Sequence, residues 1–319
     1  MQLTNAEISS ENVMSKVKKQ GQGIASLLTA NPKATIGIGI VIFFVLMAIF
    51  APVLTHFDPN AFSQDGSQPP SLTHLLGTTR KGEDVFAQLV YGARISLLVG
   101  FASAIGSTLL QVLFGLTSGY FGGVVDDILS VIINVFLVMP GLPLAIVVAS
   151  FSPVKGSLII TLVLLFTTWS YGARVLRAQT QSLREREFVT ASQASGETAF
   201  RIIFAEILPN EIALVVSNFV TTFTLTVLAE VALEFLGLGD FSQSSWGVML
   251  FWAQGQQALM GGLWWWFIPP GLCIALLCAG LTFINFGIDE LANPRLRHEK
   301  PPKAEEQKKA QEEKQEVMA

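Results

Sequence analysis

Apolar positions in this chain fall into long unbroken runs, not into the alternating or one-faced patterns of soluble strands and helices. The hydrocarbon core of a bilayer is about 30 Å thick and takes roughly 20 apolar helical residues to cross. Residues 34–54 meet that length without a single charge, and further runs lie at 95–120, 128–151, 157–175, 212–235 and 265–286. Backbone in lipid must satisfy its own hydrogen bonds, so such runs predict helices. The expectation is an all-α polytopic membrane protein with six transmembrane helices. Between the runs stand a polar leader at 1–33, an external loop at 55–94 and a polar stretch at 183–209, with a charged tail at 288–319. Residues 95–287 then form a core of five spans behind the anchor at 34–54. The Lys/Glu/Gln-rich stretch 299–316 cannot bury enough apolar surface to fold alone and reads as a solvated, partly helical extension.

Composition agrees with a membrane protein and adds an orientation. The chain is 51% hydrophobic and 14% charged, against about 25% charged in soluble domains. Its net charge of −4 gives no basic surface for nucleic acid. Lys and Arg near span ends are retained on the cytoplasmic side. With the leader inside, Lys16, Lys18, Lys19 and Lys33, then Arg174, Arg177, Arg184, Arg186 and Arg201, and the tail's seven basic residues are cytoplasmic. Only Arg80, Lys81, Arg94 and Lys155 are external. Both termini are therefore expected in the cytoplasm. The first apolar run follows 33 polar residues and is too long for a signal peptide, so it stays as an anchor. Trp264, Trp265 and Trp266 are expected at the outer interface as an aromatic belt, with ligand stacking the weaker alternative.

Catalytic patterns are missing. The chain has no G-x-x-x-x-G-K-[ST] phosphate cradle, no H-E-x-x-H and no G-x-S-x-G, and His56, His74 and His298 all lie outside the spans. Cys273 and Cys278 match no metal or redox spacing and read as buried thiols. No catalytic, cofactor or metal residue is assigned. Movement of a solute is the class left standing. An ion-coupled carrier would place ionisable groups within its helices, and here the spans offer little beyond Glu230 and Glu234. Their i, i+4 spacing puts them on one helix face, where they either bond neighbouring helices or a watery mouth, or contact substrate or a binding protein. Pro140 and Pro143 interrupt the third run and should bend it. These four are the candidate translocation-path residues. Small residues at Ser96, Gly100, Ala104, Thr108, Gly115, Gly119 and Gly123 allow close helix packing.

The stretch at 182–210, SLREREFVTASQASGETAFRIIFAEILPN, reads as two short helices against the membrane, with Gly196 at the turn between them and Pro209 where the next helix begins. It resembles the EAA loop of ABC-importer permeases, matching at Ala191, Gly196, Ile207, Leu208 and Pro209 and departing at Thr190 and Ser192, where that family has Glu and Ala. Glu187 stands close enough to replace the missing Glu in part. Further stretches narrow the resemblance to the C-type subunit of dipeptide and oligopeptide permeases: Asn31-Pro32, residues 74–84 and 91–97, 119–123 with Asp126, 235–239 with 245–247, and Asp289 with 293–297.

The resemblance implies a heterodimer with a homologous second permease subunit, two cytoplasmic ATPase subunits that bind ATP and Mg, and an external solute-binding protein, all at a bacterial or archaeal inner membrane. This chain would supply half the channel and dock one ATPase through Glu187, Thr190, Ala191, Gly196, Ile207, Leu208 and Pro209. A side chain at Gly196 is expected to block the turn. The subfamily also includes importers of oligosaccharides and nickel chelates, so the peptide reading carries those alternatives. A lone ion-coupled carrier is the rival from another class.

Overall fold

The computed structural model describes residues 32–153 and 156–292, so the expectations for 1–31, Lys155 and 293–319 fall outside it, while residues 288–292, expected in the tail, continue the last helix. Five helices are long and apolar enough to cross a membrane, and a bent pair makes a sixth crossing if counted as one span. In chain order they are α1 (Pro32–Ile49) with its short continuation α2 (Ala51–Leu54), then α3 (Val85–Phe121), the bent pair α4 (Gly123–Val138) and α5 (Gly141–Phe151), and α6 (Ser157–Arg184). A short helix α7 (Glu187–Ala194) follows. The fifth span runs as one stretch, Ala199–Leu238, whose first turn is α8 (Ala199–Arg201) and whose body is α9 (Leu208–Leu233), with π turns at Ile202–Ile207 and Glu234–Leu238. The helices α10 (Trp246–Gly255) and α11 (Trp264–Ala292) complete the fold.

Several boundaries differ from the hydropathy reading. α3 starts at Val85, not 95, because Asp84 caps it by accepting from the Ala87 N–H at 2.6 Å. The helix therefore includes polar Gln88 and Arg94, which a search for apolar runs leaves out. The fifth span begins at Ala199 instead of 212, so only the first of the two expected short helices stands apart.

α3 is the axis of the bundle. Gly115 and Gly119 sit so close to α6 that an added Cβ would lie 2.8 Å from the Ala173 carbonyl and 2.6 Å from Thr180 Cβ respectively. On its other side a polar seam joins α3 to α9. Ser96 Oγ donates to Glu230 at 3.0 Å, Thr226 Oγ1 donates to the Gly100 carbonyl at 2.9 Å, and Gln111 Nε2 donates to Thr222 at 3.0 Å. Small residues bring the backbones together and hydroxyls bond across the gap. α1 packs on α11 through Gly37 and Gly280, which places the start of α1 beside the end of α11. Ser217, early in α9, donates to Asn285 and Asp289 of α11 at 2.7 and 3.0 Å. The two described chain ends and the 183–209 stretch thus share one end of the bundle.

The opposite end is closed by the loops, which are folded onto each other. Trp265 Nε1 donates to the Thr78 carbonyl, Asn60 to that of Ser242, and the Lys81 ammonium sits 4.2 Å over Trp252. This corrects the aromatic-belt expectation. Trp264 is half exposed, but Trp265 and Trp266 are buried in the core, because the 55–84 loop folds back to cover them.

Near the 183–209 end, Arg177 of α6 grips Asp126 of α4 through two parallel bonds of 2.6 and 2.7 Å, and Ser118, Ser130 and Gln181 donate to the same carboxylate. The pair is largely covered, so removing one partner strands the other. Arg177→Ala should cost about 3 kcal/mol and lower the thermal midpoint in detergent. Asp126→Asn with Arg177→Gln should recover part of that loss, and additive losses from the two single changes would contradict the pairing.

Candidate functional site

The expected coupling residues gather at the end of the bundle opposite the packed loops. α6 ends at Arg184 and the chain turns at once into α7. This helix is held by one side chain, Val189, which is fully buried against Leu116, Tyr120, Leu176, Ile202, Ile203 and Ile207. Gln193 adds a long 3.5 Å bond to the Tyr120 hydroxyl. Glu187, Thr190 and Ala191 all face outward. Thr190, Ser192 and Ser195 turn their hydroxyls back onto the carbonyls of Glu187, Phe188 and Ala191, so the outer face of α7 is smooth and carries charge only at Glu187. Sequence reasoning overlooked Val189 and Tyr120. The signal for Val189 was there: beside Phe188 it is the only large apolar residue in 187–196.

Gly196 closes α7 in a Schellman motif, with its own N–H on the Gln193 carbonyl at 3.0 Å and the Glu197 N–H on that of Ser192 at 3.2 Å. Its φ of +78° is the left-handed value that favours glycine. A Cβ there would meet nothing within 4 Å, so crowding is not what makes a side chain resist this turn. The requirement is the backbone angle alone.

Thr198 then caps the fifth span by accepting from the Arg201 N–H. Ile207 is buried, and Leu208 and Pro209 are half-buried at the start of α9. Proline here removes the N–H that would bond the Ala205 carbonyl. The chain absorbs this with the π turn at Ile202–Ile207, where the Leu208 N–H reaches back to Ile203, and Asn210 Nδ2 donates to the Glu206 carbonyl at 2.5 Å. Between α7 and the span lies a cleft of about 200 Å³ bordered by Ser192, Ser195, Glu197, Arg201 and Glu206. Glu197 and Arg201 pair with each other, four residues apart, on its span side. Phe200 and Phe204 stand exposed beside it with ring centroids 4.5 Å apart.

The candidate path residues separate into two places. Pro140 marks the 84° bend between α4 and α5, and Pro143 sits in the first turn of α5. Glu230 and Glu234 are almost completely buried at the far end of α9. Glu230 accepts from Ser96, and Glu234 accepts from Ser245, the N-cap of α10. The Trp246 N–H leans on Ser96 at 3.4 Å, and the Trp246 indole donates to the Leu89 carbonyl at 3.0 Å. The two carboxyls fasten α10 to α3 and α9, and neither reaches an open surface. Among the described residues no three His, Cys, Asp or Glu side chains come together as a metal site would require.

These features define the class, an all-helical multi-pass membrane protein with an exposed helix hung from one end. Residues 111–298 match the family described as binding-protein-dependent transport system inner membrane component, and residues 20–70 match the N-terminal transmembrane domain of oligopeptide transport permease C. The chain belongs to the binding-protein-dependent transport system inner membrane component family. It is 33% identical over 271 residues to the oligopeptide transport system permease protein OppC of Bacillus subtilis, covering 84% of this chain and 87% of that one. It is 35% identical over 275 residues to the dipeptide transport system permease protein DppC of Alkalihalophilus pseudofirmus, covering 85% and 88%. Among solved structures, a chain of the methionine ABC transporter MetNI in inward-facing conformations superposes with a TM-score of 0.51 at 18% identity, over 64% of this chain and 94% of that one. That likeness is one of fold.

Two substitutions separate the roles within the α7 turn. Gly196→Val forces a β-branched residue to positive φ, a strain of about 1–2 kcal/mol, and should displace α7. Gly196→Asn, which tolerates that angle, should behave like the parent. The readout is protease cleavage within 187–197 in membranes, and equal cleavage of both variants would contradict the backbone account. Val189→Asp should release the helix altogether and give the fastest cleavage.

Proposed function

We infer that this chain is a permease subunit of an ATP-driven importer and forms half of the route by which di- and oligopeptides cross a bacterial inner membrane. It does so with a homologous second permease, two cytoplasmic ATPase subunits that carry ATP and Mg, and an external solute-binding protein. Both termini and the α7 turn lie on the cytoplasmic side, where sixteen of the twenty Lys and Arg residues of the sequence fall by the positive-inside rule. No residue of this chain hydrolyses ATP.

The observation that carries this reading is the construction of α7. A helix of eight residues, fixed by the buried Val189 with one long bond from Gln193 and presenting a smooth outer face, is a poor contributor to the core and a good surface for a partner. Its place between α6 and the fifth span means that force applied to α7 reaches two membrane helices through one short turn. Closure of an ATPase around it would tilt both. The peptide assignment is supported by the names of the relatives, which are oligopeptide and dipeptide permeases over most of their length.

Co-purification tests the partnership. Tagged chain expressed with its own operon should bring down a P-loop ATPase and a second permease, while the chain alone should show no ATP turnover. Gly196→Val should keep the complex assembled yet reduce peptide uptake at least tenfold, with Gly196→Asn near the parent. Full uptake by the chain without any ATPase would overturn the assignment in favour of a self-sufficient carrier.

A further inference from the structure

Helix faces that meet lipid are recognisable here by what they expose. On α3 the uncovered side chains are Leu98, Phe101, Ile105, Leu109 and Leu113, an apolar stripe one turn apart. α4 exposes apolar side chains too, at Val124, Ile128, Val131, Val135 and Val138, but it adds polar ones to them. Asp127, Val131, Asn134 and Val138, spaced i, i+4, i+7 and i+11, are all exposed and point the same way. Asn134 lies about 16 Å along the helix from Gly123 at 1.5 Å per residue, near the middle depth of the hydrocarbon. It is exposed, and its amide has no hydrogen-bond partner among the described residues. Facing lipid, two N–H donors and a carbonyl would be left unpaired where no water can reach them.

A second observation comes from the bend that ends this helix. Pro140 and Pro143 have no N–H, so the carbonyls of Phe136 and Met139 lack their helical donors, and Pro140 itself is exposed. Irregular backbone at membrane depth is tolerated only where protein or a water-filled cavity covers it. Two features of one helix, a side chain and a backbone break, therefore both exclude lipid.

We propose that the Asp127–Val131–Asn134–Val138 stripe of α4 lines the aqueous route of the solute, and that Asn134 hydrogen-bonds the amide groups of a passing peptide. An Asn amide offers one acceptor and a donor pair, which complement the C=O and N–H of any peptide bond without regard to side chain. Small valines on either side leave room for a main chain to approach. The inference rests on the permease reading and adds to it the surface and the residue that meet the solute.

Thiol labelling of the assembled transporter in proteoliposomes tests it, with Cys273→Ala and Cys278→Ala as background. Asn134→Cys should react with a membrane-impermeant methanethiosulfonate reagent in at least one nucleotide state, and trialanine should slow that reaction. Leu109→Cys, on the lipid stripe of α3, should stay unreactive. In uptake of radiolabelled trialanine, Asn134→Leu should raise KM about tenfold, the loss of one good hydrogen bond, and Asn134→Gln should restore most of it. An Asn134→Cys thiol as inert as that of Leu109→Cys in every state, or one that is inert but cross-links to the second permease, would overturn the proposal. So would an Asn134→Leu KM equal to the parent's. Each of those results can arise in a complex that still couples ATP to uptake, whereas failure to recruit any ATPase defeats the permease reading itself.

Discussion

Hydrocarbon supplies no hydrogen bonds, and that constraint organises this molecule more than any single contact. A polar side chain on a spanning helix must be met by its own helix or by a neighbour, and those of α9 at Thr222, Thr226 and Glu230 face α3, where they bond Gln111, the Gly100 carbonyl and Ser96. The seam is possible because α3 carries small residues there and the backbones can approach. Glu234 extends it by one more turn to Ser245. The carboxyls of Glu230 and Glu234 thereby become fasteners for α10, whose Trp246 is buried against Phe44 with ring centroids 5.5 Å apart. What holds the two helices together also holds the loops at the end of the bundle.

The fifth span joins both ends of the protein in one piece. It runs 40 residues from Ala199, just past the Gly196 turn, to Leu238, below α10. At 1.5 Å per residue that is about 60 Å, twice the hydrocarbon thickness. The π turn at Ile202–Ile207 carries it past Pro209, and Gly237, at a φ of +86°, kinks it at the other end. On the proposed reading, a displacement of α7 would act on the same helix that carries Glu230 and Glu234. Physical continuity of this kind is what coupling needs.

Much of this was legible in the sequence, and the misses share a cause. Apolar runs locate helices where they cross lipid, so the positions of the spans, the bend at Pro140 and the turn at Gly196 could all be read directly. Hydropathy is blind to helix that continues beyond the bilayer. Hence Val85 and Ala199 were missed as starts, although Asp84 and Thr198 are cap residues that signal both. Trp265 and Trp266 were misplaced because a tryptophan cluster beside a span looks the same whether it meets headgroups or a folded loop. Only the tertiary fold of 55–84 decides between them. Glu230 and Glu234 could be found as a pair on one face, but their partners Ser96 and Ser245 lie far off in sequence and give no local sign.

The departure at Thr190 gains meaning from the geometry. With hydroxyls at 190, 192 and 195 all turned onto their own helix, α7 offers a partner shape more than charge, and Glu187 alone keeps a carboxylate on its outer face. The remaining charges of the region, Glu197, Arg201 and Glu206, stand across the cleft on the span side. Glu197 and Arg201 neutralise each other, which leaves the Glu206 carboxylate as the excess charge of the cleft. A docking partner that seats on α7 by shape would find one negative charge beside it, on the fifth span. On the proposed docking, attachment and pull would then fall to different elements. That division would give a turn defined only by a glycine φ its importance: it sets the distance between the surface that a partner holds and the helix that it drives.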